Sequence, residues 1–151
     1  MVPLFLELRA KGRLPVTDIR MTRFWITLEQ GVRFVLKSFE RMEGGETFVP
    51  KLASMRIVDL AKAIAPECDL EVVGIRPGEK VHEVMVPEDD ARNALEYDDY
   101  FAICPSYQEW GSARYRERNG GRPCPDGFKY SSDTNTRWLT ASELRAMIGL
   151  A

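Results

Sequence analysis

Short β-prone runs alternate with helical repeats through most of this sequence, and that alternation restricts the fold more than any other feature. Residues 22–26 and 47–50 are rich in β-branched and aromatic side chains, which favour strands. Between them Thr27 and Gln30 form a capping box, and apolar residues then recur at helical spacing as far as Gly44. Strands that alternate with helices in this way predict an α/β protein.

Similar signals extend towards both ends of the chain. Residues 3–12 combine helix formers with a proline near the start and Gly12 at the end, which predicts a short helix. Thr140 and Glu143 form a second capping box, so we expect a terminal helix that ends at Gly149. The remaining predictions are strands at 14–17, 70–75 and 95–104, a helix at 57–65, and either a helix or a strand at 81–86.

Glycine and proline interrupt the section from 106 to 132, which has little apolar periodicity. We expect a long loop or a partly disordered arm there. The sequence is therefore divided into an α/β region at 1–105, the loop or arm at 106–132, and a C-terminal tail with a helix at 133–151. With 44% hydrophobic and 29% charged residues, the composition is that of a soluble globular domain.

Charge, cysteine content and hydropathy argue against several classes of function. A formal net charge of -2 creates no global field that would collect nucleic acid or an anionic membrane. The three cysteines form no C-x-x-C pair and do not cluster with His82, so neither a zinc site nor a disulfide framework is expected. No apolar run approaches the roughly 18 residues of a membrane span, and no basic leader opens the sequence. We expect a cytoplasmic protein without a membrane partner.

The turn Arg-Pro-Gly-Glu-Lys at residues 76–80 is the most informative local motif. Pro77 and Gly78 force the turn, so Arg76 and Glu79 can project to one rim. A guanidinium is a planar fork of donors suited to phosphate oxygens, and a carboxylate can accept from sugar hydroxyls. The alternative is a solvated turn with an Arg–Glu surface pair, and the pentapeptide taken alone favours it.

Arg23 is the second candidate for binding an anion. It lies beside the apolar residues Phe24, Trp25 and Ile26, so its charge must reach water or find a negative partner. A structural ion pair explains the residue equally well. Spacing along the sequence cannot establish that Arg23 and Arg76 meet around one diphosphate.

Three other groups of residues have functional interpretations that the sequence supports less well. His82 could serve as a catalytic base, but no nucleophile or carboxylate is assigned to it, which favours a structural role. The acidic residues at 88–90 and 98–99 lack the spacing of a calcium loop, which favours solvated charge. A basic patch at 114–122 could form a single-stranded nucleic-acid groove, yet nearby glutamates dilute it and no RNA-binding signature is present. We expect no nucleic-acid partner.

Three motifs in order carry a resemblance to a known family. They are LPVTDIRMTRFWIT at 14–27, RPGEKVHE at 76–83 and YSSDTNT at 130–136. With these motifs the sequence resembles inverting UDP-N-acetylglucosamine 4,6-dehydratases over nearly its whole length. Those enzymes are extended short-chain dehydrogenase/reductases that begin pseudaminic acid synthesis for flagellin glycosylation. With this resemblance, ligand binding replaces a surface ion pair as the favoured interpretation of the turn at residues 76–80.

The resemblance implies a fold, a ligand and an assembly. The expected fold is α/β, with a few short strands and three or four helices. It corresponds to the C-terminal substrate-binding part of an extended short-chain dehydrogenase/reductase, lacking most of the Rossmann sheet. The implied ligand is UDP-N-acetylglucosamine or a related UDP-sugar. The full-length enzymes are expected to be homo-oligomers, and the section at 106–132 is expected to pack on a neighbouring subunit.

The resemblance also implies which residues bind the UDP-sugar. Arg23 and Arg76 are expected to bind the diphosphate, and Glu79 the ribose. The backbone around Val16 and Thr17 is implied to face the uracil, and Met21 is implied to line the same pocket.

The departures from the family pattern concern catalysis. The family holds NADP on a glycine-rich strand-to-helix turn, and no G-x-x-G-x-x-G occurs here. Its catalytic pair is Tyr-x-x-x-Lys, yet none of the five tyrosines is followed four residues later by lysine. We therefore expect no catalytic residues in this chain, and neither NADP binding nor turnover by the chain alone. The alternative function is a non-catalytic module for nucleotide-sugar binding or oligomerisation.

Overall fold

The computed structural model describes residues 1–106 and 111–150, in which six α-helices and ten short strands are present. The helices are α1 (Val2–Leu8), α2 (Leu28–Arg41), α3 (Ile57–Ile64), α4 (Glu88–Ala91), α5 (Ser112–Asn119) and α6 (Ala141–Ile148). The strands are β1 (Arg13–Val16), β2 (Thr22–Trp25), β3 (Thr47–Pro50), β4 (Ala53–Arg56), β5 (Asp69–Val72), β6 (Val84–Val86), β7 (Ala94–Glu96), β8 (Tyr100–Ile103), β9 (Arg122–Pro123) and β10 (Tyr130–Ser131). The mixed α/β class is confirmed, with more helices than expected.

The described residues separate into two units, each with its own core. The first unit contains residues 1–25, 53–83 and 132–150, and the second contains the other described residues. The units alternate along the chain, whereas the division predicted from the sequence follows chain order. Residues that are distant in the sequence therefore share one core.

In the first unit, two strand pairs join separate segments of the chain. β1 pairs in parallel with β5, and β2 pairs antiparallel with β4. Leu14 and Val16 on β1 are buried, which is the period of two expected for a strand with one face in a core. Leu60 and Ile64 of α3 pack there together with Leu144 of α6.

Local signals start and end the helices of the first unit as predicted. α1 has Pro3 in its first turn, and a 3-10 turn after it ends at Gly12, whose φ of 72° suits glycine. α6 begins with a complete capping box between Thr140 and Glu143. It ends at Gly149, whose φ is 70°. These contacts involve near neighbours in the sequence, which is why the sequence revealed them.

The second unit contains a four-stranded antiparallel sheet with the order β3-β8-β7-β9, and β6 pairs with β10. Leu95, Ala102 and Tyr115 are buried in its core. Both hydrogen bonds of the predicted capping box at Thr27 and Gln30 are present at the start of α2.

Helix α2 buries none of its residues, although its apolar residues share one face. More than half of each large apolar side chain on that face is exposed, namely Leu28, Val32, Val35, Leu36 and Phe39. Their spacing of about one helical turn aligns them. The second unit therefore has an apolar helix face that its own core does not cover, whereas helical periodicity usually indicates a buried face.

The segments at 81–86 and 95–104 differ from or refine the predictions. Residues 84–86 form strand β6, which settles the choice between helix and strand there. The single strand predicted at 95–104 is two antiparallel strands, β7 and β8. The polar residues between β7 and β8 form a turn. Apolar and polar residues alternate loosely through this turn as well, so the sequence pattern did not show that the strand is interrupted.

The section at 106–132 is more regular than predicted. It contains α5, β9 and β10, so the expectation of a loop or arm was wrong for those elements. Residues 107–110 of the section lie outside the described residues. α5 buries Tyr115 alone, so it has no apolar repeat that a sequence pattern could detect.

Candidate functional site

The motif at 76–80 forms an exposed turn that its own backbone closes. Glu79 N donates to Arg76 O at 3.0 Å, and Arg76 N donates to Glu79 Oε2 at 3.1 Å. Gly78 has a φ of 85°, in the region that favours glycine. Within the described part of the chain, the Arg76 guanidinium has no hydrogen-bond or ion-pair partner. The turn therefore leaves Arg76 available to an anion, rather than pairing it with Glu79.

A cavity of about 240 Å³ lies in the first unit beside this turn. Its polar lining comes from Thr17, Arg76 and Glu79. The apolar residues around it are Met1, Leu4, Phe5, Pro15, Ile57 and Val73. An apolar lining with a few polar groups is typical of small-molecule sites, and complete sites usually enclose about 300–1,000 Å³. This cavity therefore fits part of a nucleotide-sized ligand.

The parallel pairing of β1 with β5 places these polar groups together. Thr17 follows the last residue of β1, and Val73 follows the last residue of β5. Val73 N donates to Val16 O at 2.9 Å, which continues the pairing to the edge of the cavity. In α/β proteins ligands bind outside the carboxyl ends of parallel strands, and Arg76 and Glu79 lie a few residues beyond that end.

Arg23 lies on β2 and binds the chain just after the turn. Its guanidinium donates to Lys80 O at 2.9 Å and to Val81 O at 3.1 Å. Glu83 Oε1 lies 3.4 Å from its Nε, so the structural ion pair left open by the sequence is present. Arg23 is not among the residues that line the cavity. A diphosphate shared by Arg23 and Arg76 stays a prediction.

Val16 and Met21 are buried in the first core, and each is 1% exposed. Neither side chain lines the cavity, in contrast to Thr17. The contact of uracil with the backbone around Val16 and Thr17, and the place of Met21 in the same pocket, stay predictions. The sequence analysis also missed the apolar lining, because Leu4, Phe5 and Ile57 have the pattern of ordinary core helices.

A buried polar cluster joins three distant segments of the first unit. The hydroxyl oxygens of Thr22 and Ser132 lie 2.6 Å apart, and Thr22 Oγ1 lies 2.8 Å from Nδ1 of His82. His82 thus has the kind of structural contact that its sequence context favoured. Ser132 was not singled out, because no local pattern indicates that a serine is buried.

Metal ligation finds no support among the described residues, and burial makes two of the three thiols hard to ionise. Among residues 1–106 and 111–150, no group of His, Cys, Asp or Glu is arranged to hold a metal ion. Cys68, Cys104 and Cys124 are free thiols, and burial raises the pKa of Cys104 and Cys124 to about 11. None of the helices in the described ranges combines the length and the hydropathy that spanning a bilayer requires.

The basic patch at 114–122 lacks the exposed aromatic platform of a nucleic-acid groove. Tyr115 is 3% exposed and packs in the second core, so it cannot stack on a base. Arg118 pairs with Glu43 at 2.9 Å, and Arg122 lies 3.5 Å from Glu96. The burial of the tyrosine and the pairing of these arginines both weigh against nucleic-acid binding.

Known proteins match the chain along nearly its whole length. A UDP-N-acetylglucosamine 4,6-dehydratase (inverting) of Campylobacter jejuni is 48% identical over 97% of this chain, and the match covers 46% of that protein. A UDP-glucose 4-epimerase of Rickettsia canadensis is 32% identical over 97% of this chain, with 44% of the epimerase covered. The chain spans about half the length of these curated relatives.

A solved structure and a family profile agree with these matches. Pen from Bacillus thuringiensis has a TM-score of 0.75 and 28% identity, over 98% of this chain and 43% of Pen. The profile of the polysaccharide biosynthesis protein family matches residues 1–105, which include β1, β2 and the turn. Since these matches cover most of the sequence, the chain belongs to the polysaccharide biosynthesis protein family, and its resemblance to inverting UDP-N-acetylglucosamine 4,6-dehydratases is confirmed.

Proposed function

We propose that this chain forms the UDP-sugar-binding portion of a UDP-N-acetylglucosamine 4,6-dehydratase (inverting) that acts in the synthesis of surface or flagellin glycans. The observation that carries the proposal is the cavity at the carboxyl ends of β1 and β5, where Thr17, Arg76 and Glu79 meet. The 48% identical relative supplies the substrate class, UDP-N-acetylglucosamine or a related UDP-sugar.

Different residues of the cavity lining suit different parts of a nucleotide. Its apolar lining residues suit the face of a base, while the unpaired Arg76 guanidinium offers a fork of donors to phosphate oxygens. Glu79 uses Oε2 to accept from Arg76 N, so its other oxygen remains for a ribose hydroxyl. Because the cavity is smaller than a complete nucleotide-sugar site, the sugar ring extends beyond it.

Arg23 has less freedom to bind a diphosphate than Arg76. Arginine has five N–H donors, and in Arg23 three of them donate to carbonyl oxygens while Nε faces Glu83. One N–H on Nη2 remains for a phosphate oxygen. Arg23 therefore contributes a single contact, together with its hold on the loop after the turn.

The described residues do not form a cradle for the NADP that the resemblance implies. Dinucleotide pyrophosphate is held where a strand leads through a glycine turn into a helix. Each glycine with positive φ in the described chain ends a helix, precedes a strand or lies in a loop, so none joins a strand to the next helix. In this proposal the chain alone binds the UDP-sugar, but it neither binds NADP nor converts the UDP-sugar to product.

Calorimetric titration with UDP and with UDP-N-acetylglucosamine tests the site. Both ligands should bind, and Arg76→Ala should weaken UDP binding about ten- to 100-fold, because it removes charged hydrogen bonds. Arg76→Lys should restore only part of the affinity, since lysine keeps the charge but not the fork.

The matched control is Arg33→Ala. Arg33 is exposed on α2 and pairs with Glu29, so its removal should leave the UDP dissociation constant unchanged. The absence of heat with UDP, or an Arg76→Ala chain that binds as tightly as the wild type, contradicts the proposal.

The exposed apolar face of α2 favours a second candidate function, a non-catalytic oligomerisation module. A chain that self-associates through this face but gives no heat with either ligand would support it over the first.

A further inference from the structure

A pair of buried hydroxyl groups lies beside the segment that follows the candidate binding turn. Thr22 is 3% exposed and Ser132 is 0% exposed. Their oxygens are 2.6 Å apart, and Thr22 Oγ1 also lies 2.8 Å from Nδ1 of His82. Because a buried hydroxyl without a partner costs free energy, this mutual pairing favours one arrangement of the three segments that contribute to it.

Backbone hydrogen bonds connect the hydroxyl pair to residues 81–83. Ser132 Oγ accepts from Glu83 N at 2.9 Å, and Ser132 N donates to Glu83 O at 2.8 Å. Thr22 N donates to Val81 O at 3.0 Å. The loop after the turn is therefore bound on one side by β2 and on the other by residue 132.

Two arrangements of the hydroxyl hydrogens satisfy the cluster. In one, Ser132 donates to Thr22 Oγ1, and Thr22 donates to Nδ1 of His82. In the other, His82 donates from Nδ1 to Thr22, Thr22 donates to Ser132, and Ser132 donates to Thr22 O at 3.3 Å. The cluster therefore remains paired whichever ring nitrogen of neutral His82 carries the hydrogen.

The turn depends on its flanks, because its own side chains are not buried. Residues 71–80 are all exposed. On the N-terminal side Val73 N is bound to Val16 O, and on the C-terminal side the chain is held at residues 80–83. The position of Arg76 beside the cavity therefore depends on these two attachments.

We propose that Ser132, acting with Thr22, is a positioning residue for the nucleotide-binding turn. Ser132 is not among the residues that line the cavity. It acts by fixing Glu83, while Thr22 fixes Val81, and these two residues in turn hold Arg76 near the cavity. The inference rests on the proposed UDP-sugar site, and it adds to that site a component from the C-terminal part of the chain.

Amide hydrogen exchange and UDP titration of Ser132→Ala test this role. Exchange at residues 76–83 should become about tenfold faster, and the UDP dissociation constant should rise about tenfold, because a buried hydrogen-bond partner is lost. Exchange within α3, in the core of the same unit, should change much less.

Ser54→Ala is the matched control. Ser54 is also a fully buried serine of the first unit, and its Oγ accepts from Asn135 Nδ2 at 3.0 Å without touching residues 80–83. The free energy of unfolding of Ser54→Ala should fall by about as much as that of Ser132→Ala. Its amide exchange in the turn should nevertheless match the wild type, and its UDP dissociation constant should lie within about twofold of the wild-type value.

Thr22 provides a second test in case Ser132→Ala does not fold. Thr22→Val removes the hydroxyl and keeps the shape, so it should also speed exchange at 76–83. Thr22→Ser keeps the hydroxyl, so its amides at residues 76–83 should exchange at the wild-type rate.

The outcomes separate this inference from the proposed function. Unchanged exchange at 76–83 in the folded hydroxyl-deleted variants overturns the positioning role, as does an equal loss of UDP affinity in Ser54→Ala and Ser132→Ala. Faster exchange in variants of a chain that binds no UDP supports the positioning role and contradicts the UDP-sugar site.

Discussion

Arg23 and Arg76 carry the same charge but differ in their freedom to bind an anion. Arg23 lies on a strand, where backbone carbonyls of Lys80 and Val81 and the carboxylate of Glu83 surround its guanidinium. Arg76 lies on an exposed turn and has no such partner in the described chain. The first is suited to hold a loop, and the second to meet a phosphate.

The thiol of Cys104 should make the free energy of unfolding fall between about pH 9 and about pH 11. Burial, with a smaller contribution from Glu46, raises its pKa to about 11 from about 9, the ordinary value that the thiol keeps in the unfolded chain. In this window the folded thiol keeps a proton that the unfolded one has lost, so rising pH favours the unfolded state. Urea unfolding at several pH values should show a shallower decline for Cys104→Ala than for the wild type.

Val49→Ala controls for a general loss of packing in the same unit. Val49 is buried and has no titratable group, so this variant should be less stable but keep the wild-type dependence on pH. Equal pH slopes for the wild type and Cys104→Ala would show that the thiol is not the cause.

At the scale of single elements, the cap of α6 should contribute measurably to stability. Thr140 accepts from Glu143 N at the start of the helix that places Leu144 in the first core. Thr140→Ala should therefore lower the free energy of unfolding by about 1 kcal/mol in urea titrations. Thr136→Ala, at an exposed position outside the helices, is the control and should have little effect. Equal stability of the two variants would mean that the cap contributes nothing.

The apolar face of α2 should cause the chain to self-associate. An exposed row of large apolar residues loses contact with water when it meets another such row. Replacing Val35 and Phe39 by lysine should lower the association constant without unfolding the unit, since both residues are exposed. Sedimentation velocity over a range of concentrations measures the effect.

Glu40→Lys is the control for added positive charge, because Glu40 lies on the same helix and is exposed. It should associate like the wild type. A wild-type chain that remains a monomer at all concentrations would contradict this expectation.

For the whole molecule, the separation of binding from chemistry is the main expectation. The candidate pocket lies in the first unit, whereas neither a dinucleotide cradle among the described residues nor a Tyr-x-x-x-Lys pair in the sequence accompanies it. The chain should bind UDP-N-acetylglucosamine but form no product from it when NADP is added. Chromatography of the nucleotide-sugar after long incubation measures this. Any product made by the purified chain contradicts the expectation, and a full-length relative serves as the positive control.

The sequence by itself determined the local features of this protein. Capping boxes, proline and glycine gave the helices α1, α2 and α6 and the turn at 76–80, because each depends on contacts between near neighbours. Motifs also indicated the family, since they keep residue types in a fixed order.

Tertiary structure alone decided which distant residues meet. The parallel pairing of β1 with β5 brings Thr17 to Arg76, and burial joins Ser132 to Thr22. It also decided that α2 keeps its apolar face exposed. Local patterns do not encode these outcomes, because strand pairing and burial depend on the free energy of the whole chain and not on the residues adjacent in the sequence.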